Sequence, residues 1–284
     1  MTRADSTKRF KDKVAFITGG ARGQGRSHAL GFARAGADIV VCDLDAHIPS
    51  VTYPLASRDD LEETRRLVEA EGRRCIAEVA DVRDRGAIDA LSARAIDELG
   101  HIDVLLANAG ITAYGALTEQ THDEWDDVIG VNLTGVWNCL KAVVPHMIER
   151  KYGRIVVTSS SVARRPQPHI TPYLASKTGV IGLVKGLANE VIKDGITVNA
   201  LAPYLVGTGI LLNEPTYRLF LPAVENPTRE EAEALWREIS PNGEPYLQPQ
   251  DITQAMLYLA SDAAAKISGI CLDVQLGWNA GTPV

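Results

Sequence analysis

The sequence predicts an α/β fold, a doubly wound parallel sheet in a single domain, and two patterns carry that expectation. Short runs rich in Val and Ile recur at 14–18, 39–42, 76–80, 104–107, 155–158, 197–201 and 270–274. Most are apolar nearly throughout, as suits strands covered by helices on both faces. Between them stand helix-period segments such as 26–35, 60–71, 85–99 and 120–150. The alternation continues almost to the C-terminus without an internal repeat or a low-complexity linker. The 284 residues therefore read as one domain, 1–284.

Composition narrows the function. Hydrophobic residues are 45% and charged residues 23% of the chain, ordinary values for a folded globule. A net charge of −7 argues against a constitutive nucleic-acid binder, which needs a basic face for phosphates. Residues 1–13 are polar and basic with no apolar stretch behind them, unlike a secretory signal peptide. No uncharged apolar run reaches about 18 residues, so no bilayer span is expected. Cys42, Cys75, Cys139 and Cys271 are far apart and form no C-x-x-C, so they read as reduced, packed thiols in a cytoplasmic setting. The six histidines show no metal-ligand spacing, and no metal is expected.

The first strand leads into Thr18-Gly19-Gly20-Ala21-Arg22-Gly23-Gln24-Gly25 and then a helix. Glycines there permit a tight turn and let backbone approach a pyrophosphate at the helix N-terminus, as in Rossmann-like folds. The second strand ends at Asp43, 20 residues beyond Gly23, where a carboxylate can accept hydrogen bonds from adenosine ribose hydroxyls. It would repel a 2′-phosphate, which favours NAD. Arg22 argues the other way, since a basic residue in the glycine loop can pair with that phosphate, but the carboxylate acts at contact distance.

Two stretches interrupt the rhythm. Residues 46–57 carry Pro49 and Pro54 together with Ile48, Val51, Tyr53 and Leu55. They are expected either to fold over the adenosine half of NAD or to pack on a neighbouring helix or subunit. Residues 208–250 are rich in Pro, with one short helix at 229–239 opened by a Thr228/Glu231 capping box. Loops this long in a compact domain are often lids. Leu211, Leu212, Tyr217, Leu219, Phe220 and Trp236 would there serve an apolar substrate, or equally a core or subunit contact.

The catalytic candidates cluster late in the chain. Tyr173 and Lys177 stand at i and i+4, on one face of a helix. A phenol is a poor base near neutrality, and an adjacent ammonium favours the phenolate. Thr158-Ser159-Ser160-Ser161 closes the fifth strand, and Ser160 precedes Tyr173 by 13 residues. A hydroxyl there could orient a substrate oxygen, the cluster being clearer than the choice among its serines. Thr121 and Glu124 form a capping box for the long helix, which is expected to bury Trp125, Ile129, Leu133, Val136 and Leu140. Asn132 falls beside that stripe, either as a satisfied core amide or as an anchor for a water near the active centre.

In order along the chain these residues resemble the short-chain dehydrogenase/reductases. The markers are Thr18-Gly19 with Gly23 and Gly25, Asp81-Val82, Asn108-Ala109-Gly110, Asn132, Ser160, Tyr173 with Lys177, Pro203 with Thr208, and Asp273-Val274. The resemblance implies Tyr173 as general acid/base, Ser160 orienting the substrate oxygen, and Lys177 binding nicotinamide ribose. It implies Asn132 holding a relay water, Asp81 and Val82 facing adenine, and Asn108 and Gly110 lining the cofactor channel. Pro203, Val206 and Thr208 would contact the carboxamide, and Gly19, Arg22, Gly23, Gln24, Gly25 and Asp43 complete the cofactor set. Two departures stand out: Tyr204 where a glycine usually follows the proline, and Gln275-Leu276-Gly277 in place of Asp-Gly-Gly. The first puts substrate shape in question.

The loop through His28-Ala29, Asp43 and the 46–57 stretch is similar to the mycofactocin-coupled, carveol dehydrogenase-like branch. That resemblance implies tightly held NAD, electron transfer to a separate carrier (mycofactocin) and, from the wider family, a homotetramer. The expectation is an NAD-dependent dehydrogenase of a secondary, cyclic or terpenoid alcohol. The alternatives are an NADPH-dependent carbonyl or 3-oxoacyl carrier-protein reductase and a non-catalytic dinucleotide sensor.

Overall fold

The structure is a computed structural model that describes residues 9–279. The first eight and last five residues, part of the polar N-terminal stretch among them, lie outside the described residues. Seven strands form one parallel sheet: β1 (Val14–Thr18), β2 (Asp38–Asp43), β3 (Cys75–Val79), β4 (Val104–Ala107), β5 (Gly153–Thr158), β6 (Ile196–Pro203) and β7 (Cys271–Val274). Their order is β3-β2-β1-β4-β5-β6-β7. Every neighbouring pair is parallel, with Ala15 opposite both Ile39 and Val104.

The apolar strands have the expected consequence. Val14 and Phe16 enter one buried core, while Ala15 and Ile17 enter the other. The first core is shared with α3 (Arg85–Leu99), α5 (Gly135–Arg150) and α6 (Thr171–Val191). The second is shared with α1 (Gly23–Arg34), α2 (Arg58–Ala70) and α9 (Pro249–Leu259). Capping supplies the local start signals. Ser57 with Asp60 boxes the start of α2, and Thr121 with Glu124 that of α4 (His122–Ile129). Thr228 with Glu231 does the same for α8 (Arg229–Ile239), as the sequence predicts.

The helix expected over 120–150 is not continuous. A π-helical turn, Gly130–Thr134, joins α4 to α5. Its wider turn shifts the phase of everything before it relative to α5. The expected stripe is therefore corrected: Val136 and Leu140 are buried, but Ile129 and Leu133 are only half-buried and Trp125 is 42% exposed. Val128, Val131 and Asn132 turn inward instead. Among the described residues this stretch is the one long and apolar enough to cross a membrane, and more than half of its most apolar window is buried inside the fold.

The two interruptions differ in build. Within 46–57, Ile48, Val51 and Tyr53 are buried in the first core. At roughly 1.5–3 kcal/mol for each large apolar side chain, that burial is a substantial anchor. The 208–250 stretch contains α8 and a second helix the sequence reading lacked, α7 (Glu214–Phe220), capped by Asn213 with Pro215 in its first turn. These pack around fully buried Trp236 in a small core of their own.

Candidate active site

Strand order reverses between β1 and β4, and a groove opens there at the carboxyl ends of the strands. The glycine loop reaches it only because side chains are missing. A Cβ on Gly25 would lie 1.9 Å from the Gly19 carbonyl oxygen. Gly19 has φ +67°, and a Cβ there would lie 2.8 Å from Ala109 Cα. Thr18, which the sequence reading placed only in the motif, stitches the floor: its Oγ1 accepts the N–H groups of Asn108 and Ala109, both at 3.1 Å.

Asp43 closes the far end of the groove. Its carboxylate accepts the Ala21 N–H and the Leu44 N–H, each at 2.9 Å. Burial raises its pKa, and those two hydrogen bonds together with the nearby Arg22 charge oppose the shift. The Arg22 guanidinium donates to the Pro54 carbonyl oxygen in the 46–57 stretch. It is thus engaged by this protein's own backbone. Asp81 lines the groove and pairs with Arg83 at 2.7 Å, and Arg83 reaches Asp127 at 2.6 Å. Ser50 donates to the same Asp127 at 2.6 Å, so the insertion is tied to α4 through this chain. Ile48, Tyr53, Leu55 and Ala56 complete that wall beside Gly19, Arg22, Gly23, Gln24, Val82, Asn108 and Gly110.

The Tyr173 and Lys177 side chains come from one face of α6 and meet the end of β5. Lys177 Nζ donates to the Thr158 carbonyl oxygen at 2.8 Å and lies 5.6 Å from the centre of the Tyr173 ring. Ser160 stands with Tyr173 on the cavity wall, whereas Ser159 donates to the Lys177 carbonyl at 2.7 Å. That separates the serines. Burial pulls the Lys177 ammonium down to about 8. Burial also pushes the Tyr173 phenol up, with Ser160 opposing. The expected fall in the phenol's pKa beside an ammonium is thus outweighed by desolvation in the protein alone.

Asn132 is fully buried in the π turn. Its oxygen accepts the Ile111 N–H at 2.8 Å, and its nitrogen donates to the Ile111 carbonyl at 2.9 Å and to Ser176 Oγ at 3.0 Å. Ser176 in turn donates to the Tyr173 carbonyl at 2.8 Å. Of the two readings of Asn132, its side chain fits the satisfied amide, clamping the β4 loop to α6.

A second cavity of about 570 Å³ lies on the other side of Tyr173. Pro203 and Val206, expected at the cofactor, line this cavity and not the groove, because β6 runs past the groove before the chain turns back; Thr208 does line the groove. Tyr204 also lines the cavity and stacks on Trp278 with centroids 4.6 Å apart. Leu211, Leu219 and Phe220 form its apolar wall. Trp236 does not line it, being enclosed by α7 and α8. Four residues line both spaces: Gln24, Thr158, Tyr173 and Ile210. Two tyrosines absent from the sequence reading of the centre fasten the rim. Tyr53 Oη accepts the Thr112 N–H at 3.0 Å. Tyr114 Oη bonds Thr216 Oγ1 at 2.6 Å and donates to the Ile210 carbonyl at 3.2 Å. Tyr114 stands four residues after Gly110, and nothing in local spacing singles it out.

A glycine cradle, a strand-end carboxylate and a Ser-Tyr-Lys cluster between two spaces define a dinucleotide-dependent oxidoreductase. A family model described as short chain dehydrogenase matches residues 13–216. The chain is 40% identical over 271 residues to (−)-trans-carveol dehydrogenase of Rhodococcus erythropolis, covering 95% of this chain and 98% of that one. It is similar to the crystal structure of carveol dehydrogenase from Mycobacterium avium in complex with NAD, with TM-score 0.93, 39% identity and coverage of 96% and 99%. A short chain dehydrogenase from Mycobacterium paratuberculosis bound to NAD gives TM-score 0.87 at 36% identity, with the same coverage. The chain belongs to the short-chain dehydrogenase/reductase family, in its carveol dehydrogenase-like branch. It is an NAD-dependent enzyme.

Proposed function

We propose that this enzyme oxidises a secondary alcohol with a cyclic or terpenoid apolar body, with Tyr173 as the general acid/base. That it is an NAD-dependent oxidoreductase of small alcohols or ketones follows from its family. The observation that carries the proposal is the placement of Tyr173 on the boundary between the groove and the apolar cavity, with Ser160 on the same cavity wall. The groove fits NAD: Gly19, Gly23 and Gly25 leave room for pyrophosphate, and the Asp43 carboxylate suits ribose hydroxyls and opposes a 2′-phosphate. When bound, NAD supplies the hydride acceptor.

The chain's own residues handle the proton. Ser160 holds the substrate oxygen beside the phenol, and Tyr173 takes the hydroxyl proton. Lys177, fixed by Thr158 and Ser159, contributes positive charge when protonated and donors for the nicotinamide ribose. Asn132 is a positioning residue, acting through Ser176 on the backbone of Tyr173. Asp81, Val82, Asn108, Gly110, Arg22, Gln24 and Thr208 line the cofactor side. Pro203 and Val206 lie across the boundary, where they bound the nicotinamide and the substrate together.

The buried anchors of 46–57 support a cover that retains NAD between turnovers, with mycofactocin or a similar carrier reoxidising it in place. Exposed Trp125 and Trp137 on α4 and α5 support a homotetramer formed through those helices. Unpaired cysteines support a cytoplasmic setting. The test of the catalytic assignment is Tyr173→Phe: alcohol oxidation falls about 10²–10⁴-fold while bound NAD, measured after denaturation, stays at the wild-type level. Near-wild-type turnover by this variant would overturn it. The NADPH-reductase reading loses its main support because Arg22 is engaged by Pro54.

A further inference from the structure

The apolar cavity has a cationic rim. Among the described residues, every arginine except Arg9, Arg22 and Arg165 has a carboxylate of another described residue within ion-pair distance. Arg22 is held by Pro54 beside the cofactor groove. Of the three, only Arg165 lines the substrate cavity. Its neighbour Arg164 has the opposite arrangement, pairing with Asp273 at 3.5 Å and donating to the Cys271 carbonyl. In a chain of net charge −7, an arginine at a cavity edge with no carboxylate partner among the described residues stands out.

Arg165 is also well positioned. Its N–H donates to the Ser161 carbonyl at 2.9 Å, in the short helical turn that begins beside Ser160. Its guanidinium lies over the Trp278 ring, 4.2 Å from the centre, and Trp278 stacks on Tyr204. Such a ladder pre-orders the cation and leaves its N–H edges for a ligand. Tyr204 provides an independent sign. It is only 8% exposed, lines the same cavity, and its buried hydroxyl has no hydrogen-bond partner among the described residues. Buried polar atoms are seldom left unpaired, and an unpaired one in a cavity points to a ligand group that satisfies it. The Arg165 charge is near enough to oppose the rise that burial imposes on the Tyr204 phenol.

We propose that Arg165 and Tyr204 form a carboxylate-recognition site at the edge of the cavity, so that the preferred substrate is a secondary alcohol whose apolar body carries an acidic group. Arg165 balances its charge, and Tyr204 donates a hydrogen bond to one carboxylate oxygen. Leu211, Leu219 and Phe220 hold the hydrocarbon between that end and the Ser160–Tyr173 centre. This rests on the alcohol-dehydrogenase reading and specifies its substrate class.

The test measures binding of cyclohexanone and of 3-oxocyclohexanecarboxylate to the NADH-loaded enzyme by calorimetry, with oxidation of the corresponding alcohols assayed in parallel. The keto acid is expected to bind about tenfold or more tightly than the neutral ketone. The ratio should collapse toward one in Arg165→Gln, recover partly in Arg165→Lys, and fall severalfold in Tyr204→Phe. It should also shrink at high salt, as an ion pair at a cavity edge requires. A ratio near one in the wild type, a ratio unchanged by Arg165→Gln, or no binding of the keto acid overturns the proposal. Equal oxidation of acidic and neutral alcohols would do so while leaving the dehydrogenase reading intact. Binding of the keto acid without oxidation of any alcohol would sink that reading instead.

Discussion

Two loops border the centre, and they are anchored in different ways. The cofactor-side loop, 46–57, sends Ile48, Val51 and Tyr53 into the main core and is tied by Arg22, Asp127 and the Thr112 N–H. The substrate-side segment, 208–250, keeps a separate core around Trp236. It meets the body through Leu247, which bridges Val206 and joins the second main core, through Ile210 against the first core, and through Tyr114. Segments with few contacts to the main core open at lower free energy than those built into it. We propose that the cofactor side stays closed while the substrate side opens independently.

The strongest way to break this comparison is to replace 46–57 with a short Gly/Ser turn. NAD carried through purification should fall from near-stoichiometric to a small fraction, measured by chromatography after denaturation. The thermal midpoint should fall as well, because three buried side chains are lost. Ser50→Ala, which cuts only the tie to Asp127, should speed NAD release without that fall. Unaltered NAD retention in both would mean the loop is no cover.

A second test lies between the two regions, at Lys177. Its folded pKa of about 8 is below the ordinary lysine value of 10.5, so the unfolded chain binds more protons between those limits. Stability contributed by this site should therefore rise as pH increases from about 8 to 10.5, by up to about 3 kcal/mol. Denaturant titrations of wild type and Lys177→Met in that range should show the wild type gaining relative to the variant. A constant gap would show that Lys177 is not desolvated.

Asp43→Ala sharpens the cofactor side alone. Removing the carboxylate should raise NADP affinity relative to NAD by about tenfold, some 1.4 kcal/mol, read by calorimetry on both proteins. Loss of its bonds to Ala21 and Leu44 should weaken both dinucleotides together. The smallest effect is expected from Tyr114→Phe, which removes the bonds to Thr216 and Ile210. At about 1 kcal/mol, KM for the alcohol should rise a fewfold while NAD release keeps its wild-type rate. A change in NAD release there would show that the two loops move as one.

The sheet was legible because its central strands are buried along almost their whole length, and the capping boxes at Thr121 and Thr228 marked helix starts. The glycine loop, Asp43 and the Tyr173–Lys177 spacing were legible because each is local. The π turn was not, since ordinary helical spacing gives no sign of the extra width that turns Asn132 inward. Helix α7 was hidden by Pro215 and Pro222, which read as loop although the first sits where a helix tolerates it. Trp236 stayed open between substrate lining and a core or subunit contact, because composition cannot distinguish a cavity wall from a small core. Local spacing does not show that Pro203 and Val206 line the cavity while Thr208 lines the groove, because only the path of the chain after β6 assigns them.

The Arg22–Pro54 tie has a kinetic consequence. If the proposed cover stays fastened through many cycles, NAD is a prosthetic group rather than a second substrate. Alcohol and electron acceptor must then visit the same apolar cavity in turn, each leaving before the other enters. Initial-rate plots at several acceptor concentrations would be parallel lines, the ping-pong pattern. Dilution into NAD-free buffer would leave the rate unchanged.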